Sequence, residues 1–419
     1  MPVDSRTFTA NEGFAPERRT LRPDLVFGGS PGQSELPLPS PDETPQESLR
    51  VRAAFFFLFL VGVRPPRGET FYEVELDSAT PGDLLVPARM PALIKQLAAQ
   101  DWLLLAYLGV LLVQVLLGHG PRRTTAIEWV LLDLGVWTTV LALTRTTLLD
   151  DHPRIASALY RMGIGFPVLG SFLQLQWILP TTGRPPLDAD LYALDVRVFG
   201  FEPAQAWDRF VSPATTEWFA FFYYGYFFLI AMHVLPLLGA AKSSPLLARF
   251  SFGFIWLYCV GHALYTFVPA YGPYSFLVHD FRHSLHGTFW WPLVRSAVDS
   301  VDGGARTDVF PSLHTAVPTY LSLFSFQERR RLPFKWTWLP LSLFTTQIIA
   351  ATMFLRWHYL VDICAGITLA VSGILLSRVA LRWDAARERE GGPAAWPRAV
   401  KRAATDAERA LIFSTRSPR

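Results

Sequence analysis

The sequence predicts an all-helical integral membrane protein with about eight transmembrane helices, and three observations carry that prediction. Of 419 residues, 51% are hydrophobic and 14% aromatic, while only 17% are charged; soluble globular chains carry about 25% charged residues. The mean hydropathy is +0.24. The apolar residues fall in blocks of roughly 18 to 25, the length that crosses a hydrocarbon core about 30 Å thick. Together these exclude a water-soluble enzyme, an intrinsically disordered scaffold and a disulfide-stapled secreted module. The net charge of +3 comes without a basic stripe interleaved with aromatics, so no nucleic-acid partner is expected. Cys259 and Cys364 sit in apolar runs and read as small core residues; zinc spacing and a redox pair are both lacking.

Taken in order, residues 1–50 are polar and proline-rich and read as a disordered tail. No signal peptide is expected ahead of the first apolar run. That run, Ala53 to Val63, is too short to span and is assigned to the interface or to a fold-back against the body. Phe71 to Asp77 alternates like a short strand. LIKQLAAQ after Pro91 reads as a short amphipathic helix, so 51–100 forms a lead-in. Spans are then expected near 102–118, 126–149, 156–179, 214–239, 250–269, 311–327, 336–355 and 358–381, within a membrane domain of 101–382. The charged tail 383–419 reads as a solvated helix or coil.

Loop charge orients these spans. The short loops 145–161, 240–249 and 328–335 hold Arg145, Arg154, Arg161, Lys242, Arg249, Arg329, Arg330, Arg331 and Lys335. The opposite face carries 119–125 and two long loops, 180–213 and 271–308, at less than half that basic density. The positive-inside rule then puts the short loops and both termini in the cytoplasm. Trp129, Trp177, Trp218 and Trp357 fall at the outer interface, and Trp102, Trp336 and Trp338 at the inner one.

Two motifs carry chemistry. FPSLHTA (Phe310 to Ala316) opens the sixth span, with Ser312 as N-cap and His314 in the first turn. RWHYLVD (Arg356 to Asp362) opens the eighth, with His358 and Asp362 spaced i, i+4 on one helical face. The two spans are separated by one complete span and so run in parallel, opening on the same outer face. Two helix N-termini offering free N–H groups make an anion site. With two imidazoles, a carboxylate and a guanidinium added, the pocket suits phosphoryl transfer: one His attacks phosphorus, and the other protonates the leaving oxygen. The bland alternative is an interfacial His on a Ser-capped helix, but four ionisable groups near hydrocarbon, each costing roughly 3 kcal/mol on insertion scales, argue against a passive bundle.

FPSLHTA and ATMFLRWHYLVDICAG resemble the second and third signature motifs of the type 2 phosphatidic acid phosphatase superfamily. Within it they resemble the branch of fungal inositol phosphorylceramide synthase and its bacterial relatives, over about residues 100–382. The resemblance implies a six-helix core near 156–381 preceded by two extra spans. It implies His358 as nucleophile, Asp362 as its orienting carboxylate, His314 as the acid serving the leaving group, and Ser312 as a phosphate-binding hydroxyl. Two departures accompany it. The Arg that usually lies six residues before the nucleophile is replaced by Thr352, which leaves Arg356 to clamp phosphate. The first motif, normally a Lys and an Arg-Pro pair, is replaced by YTFVPAYGPY (Tyr265 to Tyr274), which leaves Arg282, Arg295 and Arg306 as candidates to complete the cradle; Arg306 is the one included in the expected site.

The implied function is a lipid phosphotransferase moving a phospho-headgroup, of phosphoinositol type, from a membrane phospholipid to a lipid alcohol, without cofactor or metal. The alternatives are a lipid phosphate phosphatase with water as acceptor and, from another class, a transporter or b-type cytochrome using His233 and His262. Weaker signals are a stripe of His279, His283 and His286, read as an interfacial helix rather than a metal site. Leu187, Leu191, Leu194 and Val198 have the spacing of a surface helix. Its Asp188, Asp190 and Asp195 are read either as a solvated face or as headgroup ligands.

Overall fold

The computed structural model describes residues 92–238, 244–301 and 307–397, all within one compact unit spanning Thr80–Arg419. The expected tail 1–50, the apolar run 53–63, the strand-like segment 71–77 and Arg306 lie outside the described residues. Of the expected lead-in, the described residues include one helical turn, α1 (Ala92–Gln96). Among the described residues, seven helices are long and apolar enough to cross a membrane: α2 (Ala99–Leu117), α3 (Arg123–Thr144), α4 (Pro153–Thr181), α7 (Pro213–Leu238), α8 (Pro245–Phe267), α12 (Phe334–Phe354) and α13 (Leu360–Arg389). Between them lie α5 (Asp188–Phe199), α6 (Pro203–Trp207), α9 (Pro273–Phe276), α10 (Trp290–Val301) and α11 (Leu313–Gln327). No strand occurs among the described residues; one isolated bridge joins Ala270 to Asp308.

The expected sixth span is α11, and it is shorter than a full crossing. Its 15 residues rise only about 22 Å at 1.5 Å each. The reason is where it begins. His314, in its first turn, stacks on Tyr223 and Tyr226, which lie well inside α7, so α11 starts within the bundle and not at its surface. It packs against α12 and α13, and α13 packs in turn against α8. Close approach is made possible by Gly366: a Cβ there would stand 2.6 Å from the Ser312 carbonyl oxygen and 3.1 Å from Thr315 Cβ.

Four expectations are corrected. Cys364 is exposed on α13, unlike the buried Cys259, so it faces outward from the bundle. Residues 383–397 are in part packed against the bundle, with Asp384, Arg387, Ala395 and Trp396 buried. Arg387 is fully buried, donating to the Lys95 carbonyl at 2.8 Å and to Asp384 at 3.1 Å, and Arg145 holds the Ala394 and Ala395 carbonyls at 2.7 and 2.9 Å. The His279, His283 and His286 stripe is not a helix, because regular structure stops at Phe276 and resumes at Trp290. On α5, the face that packs inward is Asp188, Leu191 and Asp195, while Leu194 and Val198 are exposed. The helical spacing was right, and the choice of face was not, because the two aspartates find buried partners.

Candidate functional site

The first histidine is set by a helix start. Ser312 has extended backbone angles and its Oγ accepts the Thr315 N–H at 3.2 Å, the usual N-cap geometry. This fixes His314 in the first turn, between the rings of Tyr223 and Tyr226 at centroid distances of 4.4 and 4.1 Å. Ser312 N–H in turn donates to the Asp362 carbonyl at 3.2 Å, so the two motifs are joined directly through their backbones.

The second histidine is set by how α12 ends. Arg356 N–H returns to Met353 O at 3.0 Å and Trp357 N–H to Thr352 O at 2.9 Å. This is the 5→2 and 6→1 pairing of a Schellman cap, whose C′ position takes left-handed angles and usually carries Gly. Here it is Arg356, with φ of 68°. An L-residue there costs about 1 kcal/mol or more, so the side chain must compensate. Arg356 Nη2 donates to Asp208 Oδ1 at 2.8 Å and to the His283 carbonyl, and the guanidinium lies 3.8 Å over the Phe281 ring. Both ends of the ion pair are buried.

The chain then delivers His358. Its ring centroid is 6.3 Å from that of His314, and its Nδ1 is 3.5 Å from Asp362 Oδ2, a separation that a small rotation would close to a hydrogen bond. Asp362 Oδ2 also accepts the Tyr359 N–H at 2.9 Å, which locks the carboxylate in the first turn of α13. Burial pulls the His358 imidazole down to about 4, against the opposing pull of Asp308 and of a hydrogen bond to the Val309 backbone. At neutral pH the ring is therefore uncharged and keeps a nucleophilic lone pair. His314 Nε2, His358 Nδ1 and Asp362 Oδ1 are buried without hydrogen-bond partners among the described residues.

The structure thus brings His314, His358, Asp362 and Ser312 together, and holds Arg356 on Asp208 instead of leaving it free beside the histidines. Arg295 lies 4.9 Å over Tyr274 and pairs with Asp299, Arg282 is exposed, and Arg306 is outside the described residues. The expectation of open N–H groups at both helix starts is corrected for α13. Asp195 accepts Leu360 N–H at 2.6 Å and Val361 N–H at 2.8 Å, so a carboxylate already occupies that end. Asp188 is likewise engaged, accepting from Tyr271 N, Gly272 N and Tyr359 Oη. Neither aspartate is a solvated residue or free for a headgroup; Asp190 is exposed. Trp357 stacks 5.0 Å from Tyr274 and lies 6.4 Å from Trp291.

Sequence reasoning missed Asp208, Asp308, Tyr223 and Tyr226. Asp308 couples electrostatically to His358, and burial raises its carboxyl. Burial would also raise Asp208, but the His283 ring, the Arg282 and His283 N–H groups and Arg356 together hold it below the usual carboxylate range. Only Asp308, four residues before Ser312, lay close enough to a motif to be noticed. His233 and His262 are packed elsewhere: His233 Nδ1 is 2.7 Å from Leu229 O, and His262 Nδ1 is 3.4 Å from both Tyr107 Oη and Ser171 Oγ.

No curated protein and no solved structure matches the chain. A family model does: residues 189–376 are similar to the PAP2 superfamily, whose members are phosphatases and phosphotransferases. The match begins in α5 and ends in α13, taking in His314, His358 and Asp362 together with five of the six helices expected in the core.

Proposed function

We propose that the protein is a membrane lipid phosphotransferase, moving a phospho-headgroup from a phospholipid to a lipid alcohol through a phosphohistidine. One observation supports this most: two uncrosslinked histidines, 6.3 Å apart, meet at parallel helix starts with a carboxylate behind one of them. In the first half-reaction the His358 Nε2 lone pair, freed from the Val309 backbone as the ring proton moves to the Nδ1 facing Asp362, attacks phosphorus while the bond from phosphorus to the diacylglycerol oxygen breaks. His314 gives its proton to that oxygen, and Asp362 takes the hydrogen bond from Nδ1 as the ring becomes charged. In the second half-reaction the acceptor hydroxyl attacks phosphorus, its proton passes to His314, and His358 leaves. The catalyst ends as it began.

Arg356 and Ser312 would serve the phosphate. A bidentate guanidinium suits two phosphate oxygens, and the anion would exchange with Asp208 as its partner. Arg306 is proposed as a further cation at the same phosphate. The acceptor is taken to be a lipid alcohol because His358 is only 5% exposed, a setting that disfavours bulk water. Headgroup identity, with phosphoinositol as the leading candidate, and an active site facing the extracytoplasmic side belong to the same proposal.

The test is thin-layer analysis of labelled phospholipid turnover by the purified protein, with and without added ceramide or diacylglycerol. Transfer to the added alcohol is expected. Phospho-headgroup released to water in both arms, with no transfer to the added alcohol, would make the protein a hydrolase with water as acceptor. His314→Ala and His358→Ala are each expected to lose several orders of magnitude, and activity within tenfold of the unmodified protein in either would remove the assignment.

A further inference from the structure

To give a proton to the leaving oxygen, His314 has to carry a charge before the bond breaks, and it has no anion beside it. Its Nε2 is buried with no hydrogen-bond partner among the described residues, and the carboxylate of the two motifs, Asp362, stands against His358. A lone cation in a dry interior is costly. What touches His314 is aromatic. The Tyr223 ring lies 4.4 Å away with the planes 14° apart, the Tyr226 ring 4.1 Å away at 36°, and the Phe227 ring 6.3 Å away at 88°. Their i, i+3, i+4 spacing puts all three on one side of α7. Tyr223 and Tyr226 are each 5% exposed, and Tyr226 is tied to α8, its Oη lying 3.3 Å from Tyr258 Oη.

A cation within about 6 Å of an aromatic centroid is drawn to the negative π face, most strongly where water is excluded. An uncharged imidazole stacks on the same rings without that attraction, so two close rings favour the charged form. A carboxylate would favour it too, but would set a negative charge beside an incoming phosphate, which Coulomb's law penalises. Tyrosine rings bring no net charge. His358, its ring 6.3 Å away, is uncharged at neutral pH and does not oppose a charge on His314. The other titratable groups of the packed elements on this side are Tyr258, His262 and Tyr265 on α8, Asp362 on α13, and Asp308 ahead of α11. On α7, Glu217 is engaged by the Phe289, Trp290 and Trp291 amides. α12 carries Lys335 alone, in its first turn at the opposite end.

Resting on the reading that His314 and His358 transfer phosphoryl groups, we propose that Tyr223 and Tyr226 are positioning residues that hold His314 as an imidazolium. Their π faces stand in for the anion that the buried ring lacks, and keep a proton ready for the leaving oxygen without adding negative charge to a phosphate site.

The experiment uses the purified full chain in detergent micelles, with dioleoyl phosphatidylinositol, phosphatidylglycerol and phosphatidic acid as donors and ceramide as acceptor. Phenylalanine and its mono-, di- and trifluoro forms replace Tyr223 or Tyr226 in turn; fluorine drains the π face and scarcely changes the ring's size. On a donor that the unmodified protein turns over, Tyr223→Phe and Tyr226→Phe are expected to stay within about threefold, since the ring remains. Added fluorines are expected to lower kcat/KM at pH 8 stepwise, by about tenfold at the trifluoro ring. The alkaline limb of the profile moves to lower pH, while kcat/KM near pH 6 and the melting temperature stay unchanged. A flat fluorine series at both positions overturns the proposal, as does a loss of equal size at every pH, which would mark the rings as packing alone. In those cases His358→Ala still abolishes turnover, and the phosphoryl-transfer reading stands. Turnover that survives His358→Ala, or no turnover of any donor, overturns the reading and the proposal with it.

Discussion

His358 and Arg356 show how a residue's surroundings decide its chemistry. Burial draws the His358 imidazole down to about 4, below its unperturbed value of about 6.5. The acid limb of the kcat/KM profile is therefore expected near pH 4, and a limb near 6.5 would mean that His358 is not so buried. The same shift has a stability sign. The unfolded chain binds this proton more tightly, so His358's contribution is fully present above about pH 6.5 and is lost as pH falls toward 4. Arg356 occupies a backbone position that favours Gly, and its guanidinium is held there by Asp208 and the His283 carbonyl. Arg356→Lys keeps the charge but cannot hold two oxygens at once, so turnover is expected to fall on the order of tenfold, with Arg356→Ala lower still. Asp208→Asn separates anchoring from clamping. If Arg356 only anchors the outer loop, Asp208→Asn and Arg356→Lys should lower the melting temperature together and leave kcat untouched. Both motifs were legible as residues because ionisable groups beside hydrocarbon are costly. Asp208 was not, since nothing local in WDRF ties it to an arginine 148 positions away.

At the level of elements, apolar block length located six helices within five residues at either end, because crossing hydrocarbon imposes both length and composition, while α13 runs eight residues past its expected end to Arg389. α11 lies where the sixth span was expected but has only 15 residues, because its polar start is buried inside the bundle. The α13 start was misread for a different reason. Its caps come from Asp195, 165 and 166 positions before Leu360 and Val361, and no local pattern encodes so distant a partner. α5 is thus a structural support for the helix that carries Asp362, with Leu191 and Asp195 packed inward. Asp195→Asn would leave at least one of those two amides without an anionic acceptor. A loss of about 1–3 kcal/mol is expected, together with faster hydrogen exchange at Leu360 and Val361. Unchanged exchange there would show that α13 does not depend on this cap.

Across the whole molecule, polar groups gather at both ends of the bundle. At the end opposite the histidines, Arg145 Nε meets Asp101 Oδ2 at 2.7 Å with both side chains almost fully buried, and Tyr160 and the chain after α13 complete the network. Removing one partner of such a pair costs about 3–5 kcal/mol, so Arg145→Ala is expected to lower stability sharply without touching the site. The distribution of loop charge predicts that the histidine end faces outward. With Cys259 and Cys364 replaced, Ser284→Cys is expected to react with an impermeant maleimide on intact cells and Arg330→Cys to remain unlabelled; the reverse pattern would turn the site toward the cytoplasm. The account as a whole rests on His358 carrying the phospho-headgroup. Acid-sparing quench of the protein during turnover of phospholipid labelled in its headgroup phosphate, followed by peptide mass spectrometry, measures this directly. The account predicts an acid-labile, base-stable adduct on His358 that is absent from His358→Ala and accumulates when the acceptor alcohol is withheld. Full turnover with no adduct on His358, or an adduct that persists in His358→Ala, would contradict it.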